Sequence, residues 1–200
     1  APTGLLLSLE AVEDMIRHNQ DVVVIVDEAY IDFGGKSALE LIKKYENLLV
    51  VQTFSKSRSM AGMRIGYAMA QPELIKYLND VKYSFNSYTL NSLTIEMGTA
   101  AILDEAYFKE TTQKIIATRE RTKEELRALG YRMDDSKSNF LFVTHDTISM
   151  ERLFEDLKKK DIYVRHFSKP ERIANYLRIT IGTDEEMDTL ITFLKNYKQS

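Results

Sequence analysis

The sequence predicts an α/β fold followed by a smaller α+β domain, and three observations support this prediction. Residues 22–26 form a continuous β-branched apolar run, which is typical of a strand buried on both faces of an α/β sheet. Further apolar runs at 48–54 and 65–70 are separated by helical or loop-like segments. A long charged amphipathic stretch, 105–129, then leads into a second set of strands and helices. Helices of this length often cross between domains, so we expect a domain boundary near its start.

The predicted domains are therefore 1–104 and 105–200. In the first domain, Ser8 is placed to cap a helix, and Gly62 and Pro72 delimit the third apolar run. The elements expected there are a helix at 9–18, a strand at 22–26, a helix at 37–45, strands at 48–54 and 65–70, and helices at 73–82 and 90–103.

The second domain begins with the helix 105–129, which Gly130 is placed to end as a C-cap. The elements expected after it are a strand at 138–144, a helix at 150–160, strands at 162–167 and 176–181, and a closing helix at 184–197. This order of strands and helices is typical of a small α+β domain.

The composition excludes several classes of partner. The 200 residues are 44% hydrophobic and 28% charged with a net charge of −3, so there is no basic excess to indicate a nucleic-acid partner. Cysteine is absent, which rules out disulfides and thiolate metal ligands and fits the cytoplasm. No apolar run reaches the roughly 18 residues of a membrane span. We expect a cytoplasmic protein without nucleic-acid or membrane partners.

The familiar ligand motifs are also missing. No G-x-G-x-x-G occurs, and Gly35-Lys36 lacks the upstream glycine of a phosphate loop. The three histidines, His18, His145 and His166, lie far apart in sequence. We expect no metal site.

Lys56 is the residue with the most distinctive setting. It follows the apolar run 48–54, and hydroxyl residues and Arg64 surround it in sequence. A lysine used as a nucleophile needs a partly desolvated pocket, whereas a lysine used for charge alone lies on a solvated face. Asp27 follows the run 22–26 directly, so it stands at the carboxyl end of a strand, where ligands of open α/β sheets bind. If the two strands are parallel neighbours, Lys56 and Asp27 face one crevice.

Local sequence leaves alternatives open for these residues. Asp27 could merely cap the following turn, and Tyr30 could be an ordinary half-buried tyrosine. Thr53 and Ser55 could be simple strand-end residues.

Four motifs in order resemble the fold-type I pyridoxal-phosphate aminotransferases. They are Asp27-x-x-Tyr30, Thr53-x-Ser55-Lys56, Arg64, and Tyr176 to Thr180 with Arg178. Within that family, the strings at 26–33, 53–67 and 177–183 are most similar to the histidinol-phosphate aminotransferase subfamily. The resemblance covers essentially the whole chain. It implies a large three-layer α/β/α cofactor domain, of which this chain holds part, followed by a small α+β domain.

The resemblance implies pyridoxal 5′-phosphate as cofactor and a role for each matching residue. Lys56 forms the imine with the cofactor and then moves a proton as general base and acid. Asp27 keeps the ring nitrogen protonated, and Tyr30 hydrogen-bonds the phenolic oxygen. Arg64, with Ser55 and Thr53, binds the cofactor phosphate.

The substrate residues implied by the resemblance lie in the second domain. Arg178 matches the arginine that binds the substrate α-carboxylate in a bidentate pair. Arg165 would help to hold an anionic side chain such as a phosphate, although an ordinary edge-strand arginine is the more common reading of such a position. Either residue could also be a surface charge.

The chain also departs from the family pattern at its start. Ala1 stands where the family's Asn-Pro-Thr-Gly turn has its asparagine, and the phosphate-binding loop and ring-stacking aromatic that the family places upstream are not in this sequence. We therefore expect a C-terminal fragment with exposed apolar surface or a tendency to associate. We expect it to bind the cofactor weakly or not at all.

The function implied for the parent protein is transfer of an amino group between glutamate and a phosphorylated, imidazole-bearing ketone, by a homodimer that acts in histidine biosynthesis. Two alternatives remain at this point. One is a related pyridoxal-phosphate enzyme, either an aromatic aminotransferase or a decarboxylase of an amino-acid phosphate. The other is a binding module without cofactor on the same scaffold.

Overall fold

The computed structural model describes residues 1–197. Its helices and strands, in chain order, are α1 (Leu9–Arg17), β1 (Val24–Asp27), β2 (Leu48–Thr53), β3 (Gly66–Ala70), α2 (Pro72–Phe85), α3 (Ser92–Leu103), α4 (Glu105–Ala128), β4 (Arg132–Met133), β5 (Phe140–Thr144), α5 (Met150–Lys158), β6 (Arg165–His166), β7 (Leu177–Thr180) and α6 (Asp184–Lys195). Within residues 1–197, no helix is both long and apolar enough to cross a membrane.

The chain divides into two compact units. One contains residues 7–111, and the other contains residues 1–6 together with 112–200. Helix α4 runs through the division at Thr111–Thr112. The domain assignment made from the sequence, with its boundary at 104–105, stays a prediction.

The first unit is built on a three-stranded sheet in the order β1-β2-β3. Strand β1 is parallel to β2, with Asp27 opposite Val51, and β3 is antiparallel to β2. The strands before Asp27 and Lys56 are thus parallel neighbours, which is the condition for the two residues to face one crevice. Helix α1 packs its apolar face on the sheet, and this core contains Val12, Ile16, Ala38, Leu41, Leu48 and Val50.

The prediction that residues 22–26 are buried on both faces is wrong. Val24 and Val26 are half-buried against the core, but Ile25 is 62% exposed and Val23 is also exposed. Within the described residues, β1 pairs with β2 alone and is therefore an edge strand. The apolar run indicates a strand that can be covered on both sides, but only tertiary structure decides whether it is.

The predicted helix at 37–45 is also wrong. Only a short 3₁₀ turn, Ala38–Leu41, forms there. The N–H of Ala38 donates to the carboxylate of Glu28 at 2.6 Å, and Ile42 N–H bonds to the carbonyl of Leu39, in the i to i−3 pattern of a 3₁₀ turn.

The second unit has a four-stranded antiparallel sheet in the order β4-β5-β7-β6. Helices α4, α5 and α6 contribute Leu126, Leu153 and Leu190 to its apolar core. Gly130 follows α4 with a φ of +87°, as a C-cap glycine should. The strand expected at 162–167 is short, because only Arg165–His166 pair with β7. Strand β4 has no counterpart among the predicted elements.

Candidate active site

The carboxyl ends of β1 and β2 form one edge of the first unit's sheet. Because the two strands are parallel, the chain leaves both of them at this edge, where open α/β sheets bind their ligands. Asp27 is the last residue of β1, and Thr53 is the last residue of β2. Lys56 comes three residues after Thr53, so both predicted segments converge on this edge.

Lys56 is half-buried, and its amine is held by an aromatic ring. The Nζ atom lies 5.4 Å from the ring centroid of Tyr30, within the range of a cation–π contact. Within residues 1–197, Lys56 forms no ion pair with a carboxylate. The Tyr30 ring is therefore the contact that positions the Lys56 amine at this edge.

Asp27 and Glu28 are adjacent carboxylates with opposite surroundings. Asp27 is exposed, and its Oδ1 accepts the N–H of Ala29 at 3.0 Å. Glu28 is buried, and its carboxylate accepts hydrogen bonds from Ser37, Ala38 and Gln52. Successive strand residues point to opposite faces, so only Asp27 remains open to a ligand. Its bond to Ala29 also shows the local turn-capping contact that the sequence left as an alternative.

Thr53 and Ser55 are joined at the end of β2. The Thr53 hydroxyl donates to the carbonyl of Ile65 at 3.1 Å and accepts the N–H of Ser55 at 3.1 Å. The Ser55 hydroxyl lies 3.0 Å from the Thr53 hydroxyl. The single Thr53 hydroxyl proton has two acceptors, the carbonyl of Ile65 and the Ser55 hydroxyl. Where the Ser55 hydroxyl accepts it, the Ser55 proton is left for an external anion.

Arg64 sits at a sharp turn just before β3. Its φ of +57° is in the left-handed region, which is uncommon for a residue with a side chain. Its Nη1 donates to the carbonyl of Ala61 at 3.0 Å, and the residue is exposed. A guanidinium has five N–H donors, so this bond leaves others for an anionic ligand.

The two predicted substrate residues lie side by side in the second unit. Arg165 of β6 is directly opposite Arg178 of β7. The guanidinium of Arg178 lies over the rings of Phe140 and Phe167, at 5.1 and 5.9 Å. Its Nε is buried without a hydrogen-bond partner. Neither arginine forms an ion pair within residues 1–197, although like charges opposite each other destabilise a sheet.

The sequence did not indicate Glu28 or Gln52, whose hydrogen bonds hold together the strands that carry the site. Gln52 donates to Glu28 at 2.8 Å and accepts the hydroxyl of Tyr67 at 2.6 Å. These bonds link β1, β2 and β3 just behind the edge that carries Asp27 and Thr53. The adjacent carboxylates of Asp27 and Glu28 could have indicated a buried acid. Side chains alternate along a strand, so one of two adjacent carboxylates points inward.

Proteins that bind a carbonyl cofactor through lysine have a characteristic set of groups near the carboxyl edge of an α/β sheet. The set consists of an amine nucleophile, a tyrosine, a carboxylate and an arginine. The profile of the family described as "Aminotransferase class I and II" matches residues 1–194. The chain belongs to that family, which confirms the predicted resemblance.

Individual relatives agree with this assignment. A protein from Brachyspira hyodysenteriae named histidinol-phosphate aminotransferase is 56% identical over 196 residues, which are 98% of this chain and 55% of the relative. The chain thus spans about half the length of the curated relatives it matches.

Solved structures show the same α/β fold. The histidinol-phosphate aminotransferase from Clostridium acetobutylicum matches with a TM-score of 0.87 at 27% identity, over 97% of this chain and 60% of that one. The enzyme of the same name from Sinorhizobium meliloti, in complex with pyridoxal-5′-phosphate, matches with a TM-score of 0.81 at 26% identity, over 96% of this chain and 53% of that one.

Proposed function

We propose that this chain is part of a pyridoxal-phosphate-dependent aminotransferase that interconverts histidinol phosphate and its ketone, with 2-oxoglutarate and glutamate as the second pair. The observation that carries the proposal is the Lys56 amine held 5.4 Å from the Tyr30 ring centroid beside the carboxyl end of β2. The substrate assignment rests on the names of relatives that are 52 to 56% identical to the chain.

The residues of the first unit fit pyridoxal phosphate by their donor chemistry. Lys56 supplies the amine for the cofactor aldehyde, and Tyr30, whose ring lies against that amine, would hydrogen-bond the phenolic oxygen. Asp27 supplies an open carboxylate for the protonated ring nitrogen. Arg64 and Ser55 supply donors for the phosphate, while Thr53 orients Ser55. When bound, the cofactor acts as an electron sink that makes a proton on the substrate's α-carbon acidic.

Lys56 then has a second task, which is to carry that proton. As a free amine it takes the proton from the α-carbon, and as an ammonium it returns a proton to the cofactor side. Lys56 is half-buried beside the carboxyl end of β2, where the substrate's α-carbon would lie within reach of its amine. Tyr30 limits the directions in which the flexible side chain can point.

Arg165 and Arg178 fit an anionic substrate. Two facing guanidinium groups without a carboxylate partner are costly, and an anion bound between or beside them offsets that cost. Arg178, stacked over Phe140 and Phe167, has a fixed plane suited to a bidentate carboxylate contact. We assign the substrate carboxylate to Arg178 and the phosphate group to Arg165.

The test is covalent trapping. Pyridoxal phosphate is added to the whole protein of which this chain is part, the mixture is reduced with borohydride, and the modified peptides are identified by mass spectrometry. We expect Lys56 to be labelled faster than exposed lysines such as Lys36, and Lys56→Ala to abolish the visible absorption of the complex. Labelling that is equal at Lys56 and Lys36 would overturn the proposal.

The amino-transfer step itself belongs to the whole protein. There, formation of glutamate from 2-oxoglutarate and histidinol phosphate is the expected reaction, whereas release of carbon dioxide would indicate a decarboxylase. The homodimeric assembly implied by the resemblance and the cytoplasmic location expected from the composition stay predictions.

A further inference from the structure

The residue after Lys56 is fixed to a distant loop. Ser57 is 4% exposed, and its hydroxyl donates to the Oδ2 atom of Asp32 at 2.5 Å. A hydroxyl that bonds a carboxylate at this length makes a charge-assisted hydrogen bond, which is stronger than a neutral one. It joins two segments that are 25 residues apart in the chain.

The loop that carries Asp32 also carries Tyr30. It begins at Glu28. The buried Glu28 carboxylate accepts hydrogen bonds from the Ser37 hydroxyl, the Ala38 N–H and the Gln52 amide. It ends in the 3₁₀ turn Ile31–Phe33, where Phe33 is fully buried. The loop is therefore anchored on both sides of Tyr30.

Two neighbouring contacts then bridge the same two segments. One is the Lys56 amine against the Tyr30 ring, and the other is the Ser57 hydroxyl on Asp32. A lysine side chain has large rotamer freedom, and Lys56 has no ion pair within residues 1–197 to restrict it. The Tyr30 contact restricts that freedom only while the backbone at Lys56 stays beside the loop that carries Tyr30, and the Ser57–Asp32 bond joins these two segments.

We propose that the hydrogen bond between Ser57 and Asp32 positions the Lys56 amine for reaction with the cofactor aldehyde. Ser57 and Asp32 act through Lys56 and are positioning residues. This inference rests on the proposed function, since it assumes that Lys56 is the reacting amine.

The experiment measures, in the whole protein of which this chain is part, the second-order rate of borohydride trapping by pyridoxal phosphate at Lys56. The internal reference is Lys36, whose side chain is 71% exposed. Ser57→Ala removes the hydroxyl, and we expect the Lys56 rate to fall about five- to tenfold, the equivalent of one lost hydrogen bond. The Lys36 rate should not change.

Three further variants separate positioning from folding. Ser57→Thr keeps a hydroxyl and should restore most of the Lys56 rate. Asp32→Asn keeps an oxygen acceptor without the charge and should give a smaller loss. The matched control is Ser84→Ala on α2, which removes an exposed hydroxyl that donates to the carbonyl of Asp80 and should leave both rates unchanged.

The possible results are distinct. A folded Ser57→Ala variant that traps Lys56 at the original rate overturns the inference. A parallel change at Lys56 and Lys36, with a lower urea midpoint, assigns Ser57 to stability alone and also overturns it. If the unaltered chain labels Lys56 no faster than Lys36, the proposed function fails first, and this inference fails with it.

Discussion

Glu28 illustrates how a single buried carboxylate organises the candidate site. It accepts hydrogen bonds from a hydroxyl, a backbone N–H and an amide at 2.6 to 2.8 Å. Burying a charge is costly unless donors surround it, and these donors come from the loop after β1 and from β2. Glu28 therefore fixes the end of β1, where Asp27 faces outward.

We predict that Glu28→Gln destabilises the chain by about 1–3 kcal/mol, because the amide turns an NH₂ group toward donors that need an acceptor. The measurement is urea unfolding followed by circular dichroism. Glu40→Gln is the matched control, since the ion partner of Glu40 within residues 1–197 is the exposed Lys36, and the substitution should change stability by less than about 0.5 kcal/mol. Equal effects of both substitutions would contradict the role given to Glu28.

Asp135 is predicted to make stability depend on pH in the second unit. The ammonium of Lys123, which is 2% exposed, and then that of Lys137 lower the pKa of Asp135 from 3.8 to about 2. A carboxyl whose pKa is lowered by folding stabilises the native state above its unfolded pKa, and this contribution is lost as the pH falls through the folded pKa.

Asp135→Asn should therefore lower the free energy of unfolding near neutral pH, and its difference from the unaltered chain should shrink between pH 3.8 and about 2. Urea titrations across this range test the expectation. The control is Asp146→Asn, which breaks an exposed ion pair with Arg132 and should have little effect at neutral pH. A difference that stays constant with pH would refute the assignment.

At the scale of elements, α6 shows how a local sequence signal sets a boundary. Thr183 caps the helix by accepting the N–H of Glu186 at 3.3 Å, and the Glu186 carboxylate accepts the N–H of Thr183 at 2.8 Å. This reciprocal pair is a capping box. The helix starts at Asp184, as the sequence predicts.

Thr183→Ala should cost about 1 kcal/mol of stability through loss of the cap. Thermal unfolding of the chain is the measurement. Thr189→Ala is the control, because the Thr189 hydroxyl bonds only the carbonyl of Glu185 within the same helix and should change stability by less than about 0.5 kcal/mol. A similar loss in both variants would show that the cap is not responsible.

The same scale shows where local signals fail. Residues 37–45 have helical spacing of apolar side chains, yet only the 3₁₀ turn Ala38–Leu41 forms there. Residues 162–167 are predicted as a strand, yet only Arg165–His166 are paired. The strand that pairs with Arg165–His166 is β7, and no local pattern around residues 162–167 contains that partner.

At the scale of the whole molecule, the exposed edge of the first sheet is the main liability. Ile25 is 62% exposed on β1, and Val22 and Val23 are also exposed. Edge strands with apolar side chains tend to pair with other chains. This exposed surface agrees with the expectation of exposed apolar residues made from the sequence.

We predict that the chain associates increasingly with concentration and that Ile25→Lys reduces this association, because a charge at an edge opposes pairing. Sedimentation velocity over a range of concentrations is the measurement. Val81→Lys is the matched control, since Val81 on α2 is 60% exposed and undergoes the same change of charge. Equal reduction by both variants would show that net charge, not the edge, controls association.

Much of the candidate site could be predicted from the sequence, because its residues follow apolar runs at short, recognisable spacings. Asp27 and Lys56 were placed at strand ends, and their strands are parallel neighbours. The contact between Lys56 and Tyr30, the buried network of Glu28 and the facing arginines at 165 and 178 could not be predicted. Each depends on register or loop packing between segments far apart in the chain.

The sequence by itself determined the family, the α/β class and most helix and strand positions, since periodicity, caps and motif order are local properties of the chain. Tertiary structure alone decided which groups have partners. Ile25 is exposed because β1 has one strand neighbour within the described residues, and the loop of Tyr30 is held because the Ser57 hydroxyl reaches Asp32. Burial and hydrogen bonding between distant segments depend on the packing of the whole unit, which no short stretch of sequence specifies.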